Sequence, residues 1–290
     1  MNFINNKFVK SFQNFLIKNN AEEIKPRISV YPYLSGDAFM AIADACVLRN
    51  FPEPIFLRST KPKIIFIETG LLENYSKYPF FEDAKVIIVH NGDEFLNKND
   101  LIFSKQNNLM VFATNSFRKE GFLEPIPIGI ENAHHLRNGS LHYYNPLNLA
   151  QLKLTKKNEI LVSFSINTNI LERKRILDVC ISYGFINELV SLNKFRQRLS
   201  ESKFIISPPG NGIDCHRTWE AIYHKTVPVI EDKFNLFKHI DLPILSIPSI
   251  DYFFSLTKKE RDSLYYEIIE GKNYPSIYFD YWQQKIFNFI

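Results

Sequence analysis

Between Lys203 and Ile230 the sequence KFIISPPGNGIDCHRTWEAIYHKTVPVI leaves few ways to fold. Phe204-Ile205-Ile206 is a short apolar run of the kind found in buried strands. Ser207-Pro208-Pro209-Gly210-Asn211-Gly212 then stops any regular element, because the prolines lack an amide donor and the glycines lack side-chain constraint. From Asp214 to His224 the spacing of Trp219, Ile222 and Tyr223 predicts a helix, and Thr226 to Ile230 predicts a second buried strand. The succession is a βαβ unit. Its glycine-rich turn lies at the carboxyl end of the first strand, the edge at which doubly wound sheets bind ligands.

That turn has a chemical use. Gly210-Asn211-Gly212 allow close approach of the backbone to a ligand, and the helix that follows presents unpaired amides and the positive end of its dipole. His216 and Arg217 fall in the first helical turn, where cations oppose the dipole. An anion in front of them would make sense of that placement. Glu220, three residues beyond Arg217, shares a face with it and can accept two hydroxyl hydrogen bonds. Together these residues read as a nucleoside-diphosphate site, with amides and Arg217 on phosphate and Glu220 on ribose. The plainer reading is a tight turn beside a surface ion pair.

The stretch SPPGNGIDCHRTWEAIY, followed by VPVI, resembles the nucleotide-sugar motif of exostosin-like glycosyltransferases of the GT-B type. The likeness is strongest from Phe195 to Leu245, with fainter echoes in YLSGDAF, VIIVHNGDE, IPIGIEN and SFSINTNILERKR. The resemblance implies an α/β chain with two Rossmann-like doubly wound domains facing across a cleft. It also implies a UDP- or GDP-linked sugar donor in the second domain, a glycan or other hydroxyl acceptor, and inversion at the anomeric carbon. The expected divisions are residues 1–145 for the acceptor-side domain, 146–275 for the nucleotide-sugar domain and 276–290 for a helix returning to the first domain.

A chain of 290 residues is long enough for two such domains, and 45% hydrophobic with 23% charged residues suits a globular protein with real cores. The net charge of +4 is spread along the chain, which argues against a nucleic-acid partner but allows an anionic ligand or peripheral contact with an acidic membrane. Cys46, Cys180 and Cys215 form no pair by spacing, as in a reducing compartment and unlike a disulfide framework or zinc site. Phe8, Phe12, Phe15 and Leu16 with intervening lysine predict an amphipathic helix over residues 1–25 rather than a signal peptide. The expectation is a cytoplasmic enzyme, including one at the inner face of a membrane.

Along the chain, strands are predicted at Arg27–Tyr31, Ile64–Ile67, Val86–Val89, Met110–Ala113 and Pro125–Ile130, with a helix from Ala38 to Leu48. Each apolar run ends in polar residues, as in a parallel sheet whose carboxyl edge lines a site. Three residues near those ends are candidates for the base that removes an acceptor proton: Asp37, then Asp93 and His90. Asp37 also reads as a helix N-cap. His90 also reads as a strand-end residue that satisfies a carbonyl, and Asp93 as a cap of the next helix. His134-His135 has no carboxylate at ligand spacing, so no metal site is expected. The linker is placed at residues 136–158.

In the second half, strands are expected at Glu159–Ser163 and Leu242–Ile247, and helices from Leu171, from Leu192 to Ser202 and from Lys258 to Gly271. Arg173, in the first turn after a strand, matches the basic residue such transferases aim at donor phosphates, while Lys174 and Arg175 read as a solvated face. No acidic pair of the DxD type lies in a suitable loop, so a metal-independent reaction is expected. Two other classes stay open. One is a non-catalytic nucleotide- or polyanion-binding module of the same fold. The other is a dehydrogenase, although GxGxxG is absent from the first strand.

Overall fold

A computed structural model describes residues 31–75, 78–116, 119–133, 144, 156–233, 237–270 and 272–290. The helix expected over residues 1–25, residues 27–30 of the first expected strand, the His134-His135 pair, most of the 136–158 linker and Gly271 lie outside these residues. Tyr31 sits in a turn. The chain divides into two compact units. The first comprises Met1–Pro127, Glu131–Ser140 and Tyr278–Ile290; the second comprises Ile128–Ile130 and Leu141–Ile277.

The first unit is built on a mixed sheet of six strands: β1 (Ala45–Val47), β2 (Ile55–Phe56), β3 (Ile64–Glu68), β4 (Val86–His90), β5 (Met110–Ala113) and β6 (Leu123–Pro125). The order is β2-β1-β3-β4-β5-β6. β1 pairs antiparallel with β2, and every other neighbour is parallel. β3, β4 and β5 read as continuous Ile/Val/Phe runs because both sheet faces are covered. The short helices α1 (Gly36–Met40) and α2 (Leu72–Tyr75) and the longer α3 (Lys98–Gln106) flank it.

Two expectations fail here. The helix predicted to Leu48 stops at Met40, and Ala45-Cys46-Val47 instead pairs in parallel with Ile65-Phe66-Ile67. The switch is driven from outside the segment: the Asp44 carboxylate accepts the amides of Lys63 and Ile64, at 2.8 and 3.0 Å, and holds the chain at the start of β3. Pairing with a buried strand overrides the helix propensity of an Ala/Met/Leu-rich stretch. The strand predicted over Pro125–Ile130 ends at Pro125, since Pro127 offers no amide and Gly129 takes φ +70°.

The second unit carries a parallel four-stranded sheet ordered β10-β9-β8-β7. Its strands are β7 (Asn158–Val162), β8 (Ser202–Ile206), β9 (Val227–Glu231) and β10 (Leu245–Ile247). The helices are α4 (Ile170–Ser182), α5 (Leu192–Glu201), α6 (His216–Tyr223), α7 (Ile250–Ser255) and α8 (Lys258–Glu270). Alternation sorts them onto two faces. Ile160, Val162, Phe204, Ile206, Val227, Val229 and Ile247 pack with Ile176 and Cys180 of α4, Phe253 and Phe254 of α7, and Tyr265 of α8. Leu161 and Ile205 point the other way, to Leu199 of α5 and Ala221 of α6. The unit is therefore an α/β layer structure with helices on both faces. The last helix, α9 (Phe279–Phe287), belongs to the first unit, where Phe279 meets Phe39 edge-on and Lys285 pairs with the buried Glu124.

At the amino edge of the second sheet a polar knot is buried. The Lys156 ammonium donates to Leu199 O, His224 O and Thr226 Oγ1 at 3.3, 3.0 and 3.0 Å. Burial pushes its pKa down to about 7, and Lys225 adds to the effect. Ser200 Oγ lies 2.9 Å from His224 Nδ1, and burial holds His224 neutral with a pKa of about 3.

Candidate functional site

The loop from Ser207 to Cys215 leaves β8 at the carboxyl edge of its sheet and turns into α6. It is braced from two sides. From α4, the buried Arg173 donates through Nε to Pro209 O at 2.7 Å, through Nη1 to Ser165 O at 2.6 Å and through Nη2 to Pro208 O at 3.5 Å. Asn169 adds a bond to Gly210 O at 3.1 Å. A guanidinium forked across three carbonyls is committed to holding the turn. Arg173 is thus placed as the clamp of this loop.

The glycines follow from that clamp. A Cβ on Gly210 would lie 3.0 Å from Arg173 Nη2 and 3.4 Å from Cys215 Sγ, so the position is closed to a side chain by packing. The Gly210 amide donates to Gly212 O at 2.9 Å and is therefore used within the turn. Asn211 is exposed at the tip, and Gly212 is buried.

The second brace is Asp214, which sequence reasoning placed inside the helix. The helix begins at His216, and Asp214 lies before it, 3% exposed. Its carboxylate accepts the Ile128 amide and the Trp219 indole N–H, each at 2.8 Å. Burial pushes its pKa up to about 7 against those bonds. His216 donates from Nδ1 to Gly129 O at 2.8 Å. Residues 128–130 are thereby stitched to the first turn of α6. The only sequence signal for this was an acid at the first residue of a predicted helix.

Arg217 follows in that first turn, its guanidinium 5.8 Å over the Phe164 ring. Its Nη1 is enclosed and has no hydrogen-bond partner among the described residues. Burial lowers its pKa from the usual arginine value; Arg173 adds to the shift, while Cys215 and Glu220 oppose it. Glu220 is 5% exposed, one turn further along α6. Burial also pushes the Cys215 thiol up, which suits a packed side chain and not a nucleophile.

Beside the loop lies a small pocket open to solvent, lined by residues that include Ser207, Pro209, Thr218, Glu231, Asp232 and Lys233. None of the seven donor-site residues read from the sequence (Arg173, Gly210, Asn211, Gly212, His216, Arg217 and Glu220) lines it. They cluster around the loop and the first turns of α6, while their neighbours form the pocket wall. An ion-pair lattice closes one rim: Arg175 Nη2 and Lys233 Nζ both reach Glu172, at 2.7 and 2.6 Å, and both reach the buried Glu231. Arg175, its side chain still 40% exposed, is thus paired with two carboxylates as well as facing solvent. The Glu172–Arg175 spacing was visible in the sequence, but their junction with Glu231 was not.

The three candidate bases differ. The His90 side chain is buried between Phe39 and Phe66. Its Nδ1 accepts the Asn91 amide at 2.7 Å, and its Nε2 lies 3.2 Å from Pro127 O, which assigns the proton to Nε2. Asp37 is 1% exposed and accepts the Ala133 amide at 3.0 Å, while Ser35 provides the N-cap of α1. Asn91, at φ +61°, accepts from Asn132 Nδ2 at 3.1 Å, next to Gly36. His90 and Asp37 thus sit in a buried polar scaffold, whereas Asp93 is exposed on the loop after β4.

Among the described residues no group of three or more His, Cys, Asp or Glu could hold a metal ion, and no helix is long and apolar enough to cross a membrane. Neither the protein-family models nor the curated proteins compared with this sequence give a match.

Proposed function

We propose that the chain is a nucleotide-sugar-dependent glycosyltransferase of the exostosin-like GT-B type, moving a sugar from a UDP- or GDP-linked donor to the hydroxyl of a glycan or related acceptor. The observation that carries this reading is Arg217: a guanidinium in the first turn of a helix, at the carboxyl edge of a parallel sheet, with an enclosed Nη1 that nothing among the described residues accepts from. An unsatisfied charged donor is costly, and a bound diphosphate that displaces the groups over it removes the cost. In this reading Arg217 and the dipole of α6 neutralise the leaving diphosphate without a divalent metal. Glu220 accepts the ribose hydroxyls. Arg173, Asn169 and Asp214 position the loop. Asp93, the exposed member of the three candidate bases, takes the acceptor proton.

The test is a donor-hydrolysis and transfer screen across UDP-, GDP- and CMP-sugars, with and without EDTA. Turnover of a UDP- or GDP-sugar that survives EDTA supports the reading. Binding without turnover would leave a non-catalytic nucleotide-binding module, and stabilisation by NAD alone would point to a dehydrogenase.

A further inference from the structure

The pocket beside the loop differs from the Arg217 side in charge. Its lining carries three carboxylates, Glu172, Glu231 and Asp232, against the single ammonium of Lys233, with Arg175 at the rim. Two of the carboxylates are neutralised. Glu231 accepts the Ile250 amide at 2.8 Å as well as its two cations, and Glu172 takes the same two cations. Asp232 is the exception: its carboxylate has no hydrogen bond or ion pair among the described residues, although the residue is partly buried.

The buried Ser207 and Thr218 hydroxyls also line the pocket, 3.0 Å apart. Their mutual bond uses one of two hydroxyl protons, and the other has no acceptor among the described residues. Pro209, Ile213, Ile230 and Phe237 complete the wall with apolar surface. An unpaired carboxylate, a spare hydroxyl donor and an apolar wall suit a polyol, whose hydroxyls donate to the acid and whose C–H face lies on carbon. The carboxylate disfavours an anion.

Resting on the transferase reading above, we infer that this pocket takes the transferred sugar and that Asp232 makes it selective for a neutral sugar over a uronic acid. A neutral hexose hydroxyl donates to Asp232. A uronate would set a second carboxylate against it, with Lys233 already held by Glu172 and Glu231.

The experiment is isothermal titration calorimetry with UDP and GDP, then with the glucose and glucuronate conjugates of whichever nucleotide binds more tightly. The wild-type protein should favour the glucose conjugate by about tenfold or more, the scale of one hydrogen bond to a charged group. Asp232→Asn, at a partly exposed position, should bring the two conjugates to near-equal affinity and leave the free nucleotide unchanged. Absence of a wild-type preference, or a preference that survives Asp232→Asn, overturns the inference while nucleotide binding keeps the transferase reading alive. Loss of free-nucleotide affinity in Asp232→Asn also overturns it, by assigning the pocket to ribose. If neither nucleotide binds, the transferase reading falls and the inference falls with it.

Discussion

Replacing Arg217 by methionine should make the ligand-free protein more stable and its nucleotide complex weaker. The enclosed Nη1 is a charged donor without an acceptor among the described residues, a cost of about 1–3 kcal/mol. Methionine keeps part of the apolar stem and removes that donor. Against the gain stands the lost cation–π contact with Phe164 at 5.8 Å, worth ~0.5–1 kcal/mol. The nearby charges do not reverse the sign. The repulsion from Arg173 exceeds the attraction of Glu220, and burial keeps the Cys215 thiol protonated, so it offers no countercharge near neutral pH. The balance is a gain of about 1 kcal/mol, or a midpoint raised by roughly 2–4 °C for a unit of this size. A charge-assisted bond to phosphate is lost at the same time, which weakens nucleotide binding about 10- to 100-fold. Urea unfolding of both proteins, with and without UDP and GDP, reads both effects. A variant less stable than the wild type that is still stabilised by nucleotide would refute the argument, because Arg217 would then be a structural residue.

Three further outcomes follow from the same structure. Lys156 has its pKa lowered to about 7 by burial, so between pH 7 and the unfolded value near ~10.4 the unfolded chain binds more protons and stability rises with pH; urea midpoints at pH 7 and 9.5 should rise more for the wild type than for Lys156→Met, by at most ~1.4 kcal/mol per pH unit, and parallel profiles would contradict this. Gly36→Ala reduces the freedom of the unfolded chain, a gain of about 0.4–1 kcal/mol, but places a Cβ 1.8 Å from Asn91 Oδ1, a side chain held by Asn132; a net loss of about 1–3 kcal/mol is expected in chemical denaturation, and a neutral result would show that the scaffold yields. Asp93→Asn should lower kcat about 10²- to 10⁴-fold with donor affinity unchanged, and an equal loss of donor affinity would remove the base role.

The central strands could be read from the sequence because each carries a continuous apolar run buried on both faces, Val86–Val89 and Phe204–Ile206 being the clearest, whereas the half-buried Ile55–Phe56 gave no such signal. Residues 45–47 could not, because what makes them a strand is the grip of Asp44 on amides nearly twenty residues away. The same limit governs the candidate site. The turn at Gly210 announces itself through its prolines and glycines. The use of Arg173 as its clamp depends on carbonyls that point at α4 only in the folded chain. Asp214 and Asp232 look alike in sequence, each an acid at an element boundary. Only the fold tells them apart: one is buried and bonded to Ile128 and Trp219, the other lines a pocket without a side-chain partner among the described residues.

A crystal structure of the protein grown with UDP or GDP bears most directly on the donor site. A phosphate oxygen should lie about 2.7–3.1 Å from Arg217 Nη1, at the first turn of α6, with the ribose hydroxyls on Glu220. A diphosphate bound away from the Ser207–Cys215 loop, with Arg217 Nη1 still lacking an acceptor, would contradict the account.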